Sequence, residues 1–343
     1  MGAPAMPVPM AAAGRLHDRR REAIKKFAAL GSLLTLIAAF SLTSAAFFSL
    51  GNGLTIALQV TSIGLLGIGA TCVIIAGGID LSVGSVLALS GVVAALSVKE
   101  AGLPVPVGML AGVLTGALCG LANGILVARM RLPPFIATLG MMLVARGLAL
   151  QVTGARAVSG LGESFGELGN GALLRVIRIG EDGFPTIVFP GIPYPVILMA
   201  VLTLAVAFVL NRTVFGRHVY AVGSNAEAAR LSGVNVARVV TLTYVISGAL
   251  AGLTGCVLMS RLVTAQPNEG VMYELDAIAS AVIGGTSLVG GVGTISGTAI
   301  GAFVIGILRN GLNMNGVSAF MQQIVIGLVI LFTVWIDQLR NRR

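Results

Sequence analysis

The feature that most constrains this chain is a series of apolar runs, each close to membrane-spanning length and bounded by charge, Pro or Gly-Asn turns. A helix rises about 1.5 Å per residue and the hydrocarbon layer is about 30 Å thick, so roughly 20 apolar residues cross it. Ten runs stand out, at 27–48, 54–78, 81–97, 107–128, 135–153, 195–211, 239–260, 276–290, 293–309 and 320–337. Those at 81–97, 276–290 and 293–309 are short for full spans, and each reads as half of a broken or re-entrant helix. Eight full spans is the alternative count. In lipid every backbone N–H and C=O needs an internal partner, so the expected fold class is all-α: a polytopic integral membrane protein of about ten transmembrane helices.

The composition agrees. Of 343 residues, 56% are hydrophobic and 10% charged, with a mean hydropathy of +0.97, whereas a soluble domain carries about 25% charged residues. With 47 Gly and 5% aromatics, the chain suits helices that approach through small residues in lipid. Cys72, Cys119 and Cys256 lie in apolar stretches without metal-ligand spacing and read as small buried hydrophobes. A net charge of +9 does not indicate nucleic acid, because no basic face interleaved with aromatics accompanies it.

The basic residues instead report orientation. Arg15, Arg19, Arg20, Arg21, Lys25 and Lys26 precede the first run, which exceeds the roughly 7–15 residues of a cleavable signal core and reads as a retained helix. With the N-terminus inside, that cluster joins Arg129, Arg131, Arg212, Arg217, Arg230, Arg238, Arg340, Arg342 and Arg343 on the cytoplasmic face, 15 of the 22 basic residues. Lys99, Arg156, Arg175, Arg178 and Arg261 fall opposite. The expected organisation is a basic cytoplasmic tail over 1–26, a transmembrane domain over 27–337 and a basic cytoplasmic tail over 338–343. Within the domain, 212–238 is a cytoplasmic loop. The 154–194 segment, with Glu163, Glu167, Glu181, Asp182, Pro185, Pro190 and Pro193 and with Pro195 just after it, is an ordered external loop.

An internal echo links Gly77-Gly78-Ile79-Asp80-Leu81-Ser82-Val83-Gly84 to Gly284-Gly285-Thr286-Ser287-Leu288-Val289-Gly290-Gly291. Each sits between two apolar runs, as parallel repeats of one unit would place it. Chance similarity in a glycine-rich chain explains the four identities equally well.

The 212–238 loop encodes a short delimited helix. Ser224 and Glu227 have capping-box spacing, with Ser at the N-cap and Glu at N3, and Gly233 supplies a left-handed stop. Ala226 and Ala229 share a face, next to Leu231 and Ser232, and so present small residues to a docking protein. A helix lying on lipid is the competing reading, but it would carry larger apolar anchors.

The loop pattern Gly216-Arg217-His218-Val219-Tyr220-Ala221-Val222-Gly223-Ser224-Asn225-Ala226-Glu227-Ala228-Ala229-Arg230-Leu231-Ser232-Gly233 resembles the coupling loop of ribose-type ABC importer permeases. So do Ile75-Ala76-Gly77-Gly78-Ile79-Asp80-Leu81-Ser82-Val83-Gly84-Ser85, Pro133-Pro134-Phe135-Ile136-Ala137-Thr138-Leu139-Gly140 and Ala281-Val282-Ile283-Gly284-Gly285-Thr286-Ser287-Leu288. Their order matches from about residue 50 to the C-terminus. The resemblance implies a permease in the bacterial cytoplasmic (inner) membrane, paired with a second permease copy or paralogue, an ABC ATPase subunit and an extracytoplasmic sugar-binding protein. It implies alternating access for a small-molecule, sugar-like solute. Branched-chain amino-acid permeases are the nearest confusable relatives. Coupling to the ATPase then falls on Gly216, Arg217, Gly223, Ser224, Asn225, Ala226, Glu227, Ala229 and Gly233.

Gly77, Gly78, Asp80, Asn123, Gly284 and Gly285 are candidates for the translocation path or a helix break. Asp80 has two compatible readings, as N-cap of the 81–97 helix and as a residue lining or gating the path. Asn123, Arg146, Asn310 and Gln322 read as interhelical hydrogen-bond partners. Catalytic and metal sites are not expected. His17 and His218 are the only histidines, both in predicted cytoplasmic segments, and no phosphate loop Gly-x-x-x-x-Gly-Lys-Ser/Thr occurs. ATP hydrolysis is therefore assigned to a partner, and no cofactor is expected. An ion-coupled transporter is the competing class. It would keep several carboxylates in its spans, and only Asp80, with Glu274 and Asp276 at an edge, is available.

Overall fold

The computed structural model describes residues 30–179 and 185–341. The tail at 1–26, the acids Glu181 and Asp182, and the last two arginines lie outside the described residues. In chain order the elements are α1 (Leu30–Thr43), α2 (Leu50–Ile75), α3 (Val83–Lys99), α4 (Val105–Ala128), α5 (Pro134–Thr153) and α6 (Glu163–Asn170). Four short strands follow, β1 (Ala172–Leu173), β2 (Val176–Ile179), β3 (Pro185–Phe189) and β4 (Ile192–Pro193). The remaining helices are α7 (Tyr194–Arg212), α8 (Val214–Ser224), α9 (Ala226–Leu231), α10 (Val236–Leu262), α11 (Tyr273–Ile283), α12 (Ile295–Met314) and α13 (Ala319–Asn341).

Each of the ten apolar runs contains a helix. Among the described residues six helices are long and apolar enough to cross a membrane: α2, α4, α5, α7, α10 and α12. The expectation for 293–309 is corrected, because α12 has 20 residues and is a full-length span, not a half. The expectation for 276–290 holds: α11 has 11 residues, about 16 Å at the α-helical rise and so roughly half a hydrocarbon layer. Helix α13 continues to Asn341, past the end of the apolar run at 320–337.

Helix α2 forms the centre, buried on every side from Val60 to Ile75 against α7, α10, α11 and α12. It is apolar all round because it meets protein all round. Helices α4, α5 and α7 lie outside and expose Leu114, Leu118, Leu143, Leu204 and Phe208, large side chains suited to lipid.

The most extensive helix pairing among the described residues is α4 on α10. On α4 the buried residues are Gly108, Gly112, Gly116, Gly120, Asn123 and Gly124, five glycines at four-residue spacing on one face. A Cβ on Gly116 would collide with the Gly248 carbonyl, and one on Gly124 would stand 2.7 Å from the Thr241 Cα. The small-residue stripe brings the two backbones into contact, where dispersion and not water exclusion supplies the attraction.

The 154–194 segment is ordered where described, and it adds small β ladders to the all-α plan. Strand β1 pairs antiparallel with β4, and β2 with β3. Helix α6 is pinned to the end of α10: the Gly169 N–H donates to Ser260 Oγ (2.8 Å), which donates to the Phe165 carbonyl (2.6 Å).

Candidate functional site

Helix α2 stops at Ile75 because Gly77 turns left-handed (φ +84°), and α3 begins at Val83. The seven residues between carry Asp80, only 2% exposed. Its Oδ1 accepts from the Ser82 N–H (3.0 Å) and Ser82 Oγ (2.6 Å), and its Oδ2 accepts from Ser247 Oγ of α10 (2.9 Å). Ser82 Oγ in turn accepts from Asn123 Nδ2 of α4 (2.9 Å). The Ile79 carbonyl accepts from Tyr244 Oη at 3.1 Å. Asp80 is thus the hub that ties the break to α4 and α10. The capping expectation is corrected: Ser82 is the N-cap residue of α3, and Asp80 binds no amide of the helix itself. Two residues further back, its carboxylate meets the Ser82 amide, as in an Asx turn, and no amide beyond it.

The second break, after Ile283, repeats the first. In α2 the Ala76, Gly77 and Gly78 amides donate to the Cys72, Ile74 and Val73 carbonyls. In α11 the Gly284, Gly285 and Thr286 amides donate to Ser280, Val282 and Ala281. All three pairs are offset by 208 residues, one more than the offset of the sequence echo, so Gly77 corresponds to Gly285 (φ +92°). The other glycine of each pair allows a close approach. A Cβ on Gly78 would stand 2.7 Å from Tyr244 Oη, and one on Gly284 would collide with the Gly297 carbonyl.

Helix α8 ends against both breaks. Its Tyr220 Oη donates to the Gly293 carbonyl (2.8 Å), and the Gly291 N–H, next to Ser224, donates to the Ile75 carbonyl (2.9 Å). Gly223 lies between them, where a Cβ would collide with the Ile75 carbonyl and stand 2.6 Å from the Gly291 nitrogen. Sequence reasoning named Gly223 and both glycine pairs without showing that Gly223 sits against Ile75 and Gly291 in the two broken segments. The residues it missed, Ser247 and Tyr244, are isolated polar groups in helices, a signal shared with ordinary interhelical bonds, and Tyr220 stood in the loop pattern without a role of its own.

The loop differs from the single capped helix expected. Thr213 caps α8 through the Gly216 N–H (3.2 Å), and Ser224 is its last residue. The N-cap of α9 is Asn225, whose side chain accepts from the Ala228 N–H (2.9 Å), so the Ser224–Glu227 capping box is corrected by one position. Glu227 instead pairs with Arg230 at 2.6 Å on the exposed face, a hydrogen bond that pushes the guanidinium pKa further up. Gly233 stops the helix as expected (φ +85°), with the Val234 N–H returning to the Ala229 carbonyl. Ala229 is buried against the domain, whereas Ala226, placed on the same face by the sequence, is exposed. Arg217, Ala226, Glu227 and Leu231 are exposed, and Gly216 is buried against the Leu210 backbone.

At the other end of the central helices lies a polar cavity of about 270 Å³, lined by Gln59, Ser62, Leu258, Arg261, Tyr273, Arg309, Asn310, Asn313 and Gln322. Arg309 Nη2 donates to both Asp276 oxygens. Asn310 donates to Asn52 of α2 (3.0 Å), the interhelical bond expected. Arg146 donates to the Pro267 and Glu269 carbonyls before α11. Gln322 departs from expectation, donating to Val317 just ahead of its own helix (2.9 Å). Among the described residues no group of three or more His, Cys, Asp or Glu is placed to hold a metal.

A multi-span helical domain with two broken helices, a polar interior and an exposed helical loop seated on the breaks defines a membrane transport permease. Residues 52–334 match the family described as branched-chain amino acid transport system / permease component, and the chain belongs to that family. It is 43% identical to the ribose import permease protein RbsC of Escherichia coli K12 over 310 residues, 89% of this chain and 91% of the relative. Identity is 41% to the Bacillus subtilis 168 ribose import permease, over 90% and 91% of the two chains. It is 36% to the xylose transport system permease protein XylH of E. coli K12, over 93% of each. No solved structure matches the chain.

Proposed function

We propose that this chain is the permease subunit of an ATP-driven importer for a sugar, working in the bacterial inner membrane with both termini and α8–α9 in the cytoplasm. The ribose and xylose permeases it resembles along nine-tenths of its length support a sugar over an amino acid. The basic residues flanking the spans support the orientation. The partners are an ABC ATPase on the cytoplasmic face, an extracytoplasmic sugar-binding protein and a second permease chain.

The observation that carries the mechanism is the seat of α8 on both helix breaks. An ATPase docked on the exposed side of α9, at Glu227, Arg230 and Leu231, moves a short capped helix pair as a unit. Gly223 and Tyr220 pass that displacement directly to Ile75, Gly291 and Gly293, where α2, α11 and α12 begin or end. The Asp80 hub then couples the first break to α4 and α10. Helices that pack closely respond by switching between arrangements, which is how a small shift becomes alternating access. Vesicles holding the chain with its cognate ATPase and binding protein should take up labelled ribose or xylose with ATP, and leucine poorly. Uptake driven by an ion gradient without ATP would overturn this reading.

A further inference from the structure

The polar cavity and the groove outside it, about 400 Å³ between α2, α6 and the β segment, share Gln59 and Arg261, so these two residues form the neck between them. Arg309 is held by Asp276, Arg146 donates to two backbone carbonyls and Arg175 to the Asn170 carbonyl. The Arg261 guanidinium has no hydrogen-bond or ion-pair partner among the described residues. Among the described residues no carboxylate lines the cavity or the groove. The cavity wall offers amides and a hydroxyl from Gln59, Ser62, Asn310 and Asn313, and the buried Asn310 Oδ1 is without a partner. Such a wall presents many donors and a few neutral acceptors. It repels a cation and wastes its polar groups on an apolar side chain, whereas a polyhydroxylated solute meets both kinds.

The arginine is also held in place. Its carbonyl accepts from Asn170 Nδ2 (3.1 Å), and the preceding Ser260 is bonded to α6 on both sides. A fixed backbone aims the side chain repeatably. We infer that Arg261 is the specificity-determining residue of the path, donating its forked N–H pair to two neighbouring oxygens of a polyhydroxylated solute as it passes the neck. This rests on the importer reading above.

The test uses the complete importer in vesicles, with labelled ribose and xylose and their 2-deoxy forms as probes. Arg261→Met should lower the uptake rate about tenfold or more, the scale of a lost charged hydrogen bond, with Arg261→Lys between it and wild type. The preference for the parent sugar over its deoxy form should fall towards one, while ATPase association stays unchanged. Wild-type rate and preference in Arg261→Met would overturn the inference, and so would a slower rate with an intact preference, which marks a merely structural role. Failure of the wild type to move either sugar would sink the importer reading instead. A second measurement, free of transport, places a cysteine at Asn313→Cys in a background lacking Cys72, Cys119 and Cys256. It should react faster with an anionic than with a cationic methanethiosulfonate, and Arg261→Met should reduce that ratio several-fold. An unchanged ratio would show that Arg261 does not face the cavity.

Discussion

One nitrogen of Arg309 on α12 donates to both carboxylate oxygens of Asp276 on α11, at 3.1 and 3.0 Å. The pair joins the half-helix to the full span beside it, and it separates the central cavity from a second one of about 310 Å³ against α13. The partners are unequally enclosed. The Asp276 side chain is 8% exposed, whereas that of Arg309 is 37% exposed and reaches the cavity.

That inequality predicts unequal effects of breaking the pair. Arg309→Met leaves a buried carboxylate alone and should destabilise the protein by about 3 kcal/mol, near the lower end for a broken buried pair. Asp276→Asn leaves a guanidinium that still reaches the polar cavity and should cost less. Removing both charges should restore part of the loss in Arg309→Met. Thermal unfolding of the purified protein in detergent ranks the three variants, and equal losses in both single variants would contradict the argument.

Asp80 accepts three hydrogen bonds from two helical elements in a site closed to water. Alanine removes all three and leaves the Ser82 and Ser247 hydroxyls to find new partners. Asparagine keeps one acceptor and turns an N–H₂ toward a hydroxyl that can rotate to receive it. Asp80→Ala should therefore lose clearly more stability than Asp80→Asn, and Ser247→Ala should cost about 1.5–3 kcal/mol for its bond to a charged group. Detergent melting curves and uptake rates together test this. A full-strength Asp80→Ala importer would show that the hub is dispensable.

Two glycines of similar sequence context should respond oppositely. Gly116→Ala places a methyl on the Gly248 carbonyl and must push α4 from α10, costing about 1–3 kcal/mol. Gly147→Ala on α5 meets nothing within 4 Å and gains helix propensity, so it should be neutral or slightly stabilising. Parallel unfolding of the two variants checks the contrast directly.

These residues also show what the sequence could convey. Each apolar run holds a helix among the described residues, because a span must be apolar whatever it packs against. The brevity of α11 followed from the shortness of the run at 276–290, but α12 was misjudged: its C-terminal turns carry Arg309, Asn310 and Asn313, polar groups that face the cavity and look like the end of a span. The caps at Asp80 and Ser224 were misplaced by one or two residues, because capping residues stand beside others of the same type. Contacts over long separations, such as Gly223 with Ile75 and Gly291, have no local signal. One glycine among 47 says nothing of the backbone it will touch.

The most direct test of coupling separates docking from transmission. Leu231, 80% exposed on α9 beside the Glu227–Arg230 pair, is the one large apolar side chain α9 offers to a partner, whereas Ala229 faces inward. Leu231→Asp should therefore abolish co-purification with the cognate ATPase while leaving the membrane domain folded. Gly223→Ala acts one step later. Its new methyl meets the Ile75 carbonyl and the Gly291 nitrogen, backbone atoms that cannot swing aside, so α8 must lift from the two breaks. That variant should still bind the ATPase and hydrolyse ATP, but stimulation by the loaded binding protein and sugar uptake should fall at least tenfold together. Loss of ATPase binding in Gly223→Ala would place the docking surface at the breaks. Undiminished uptake would mean that the force does not pass through Gly223, leaving the Tyr220 hydroxyl on the Gly293 carbonyl as the described contact of α8 that could carry it.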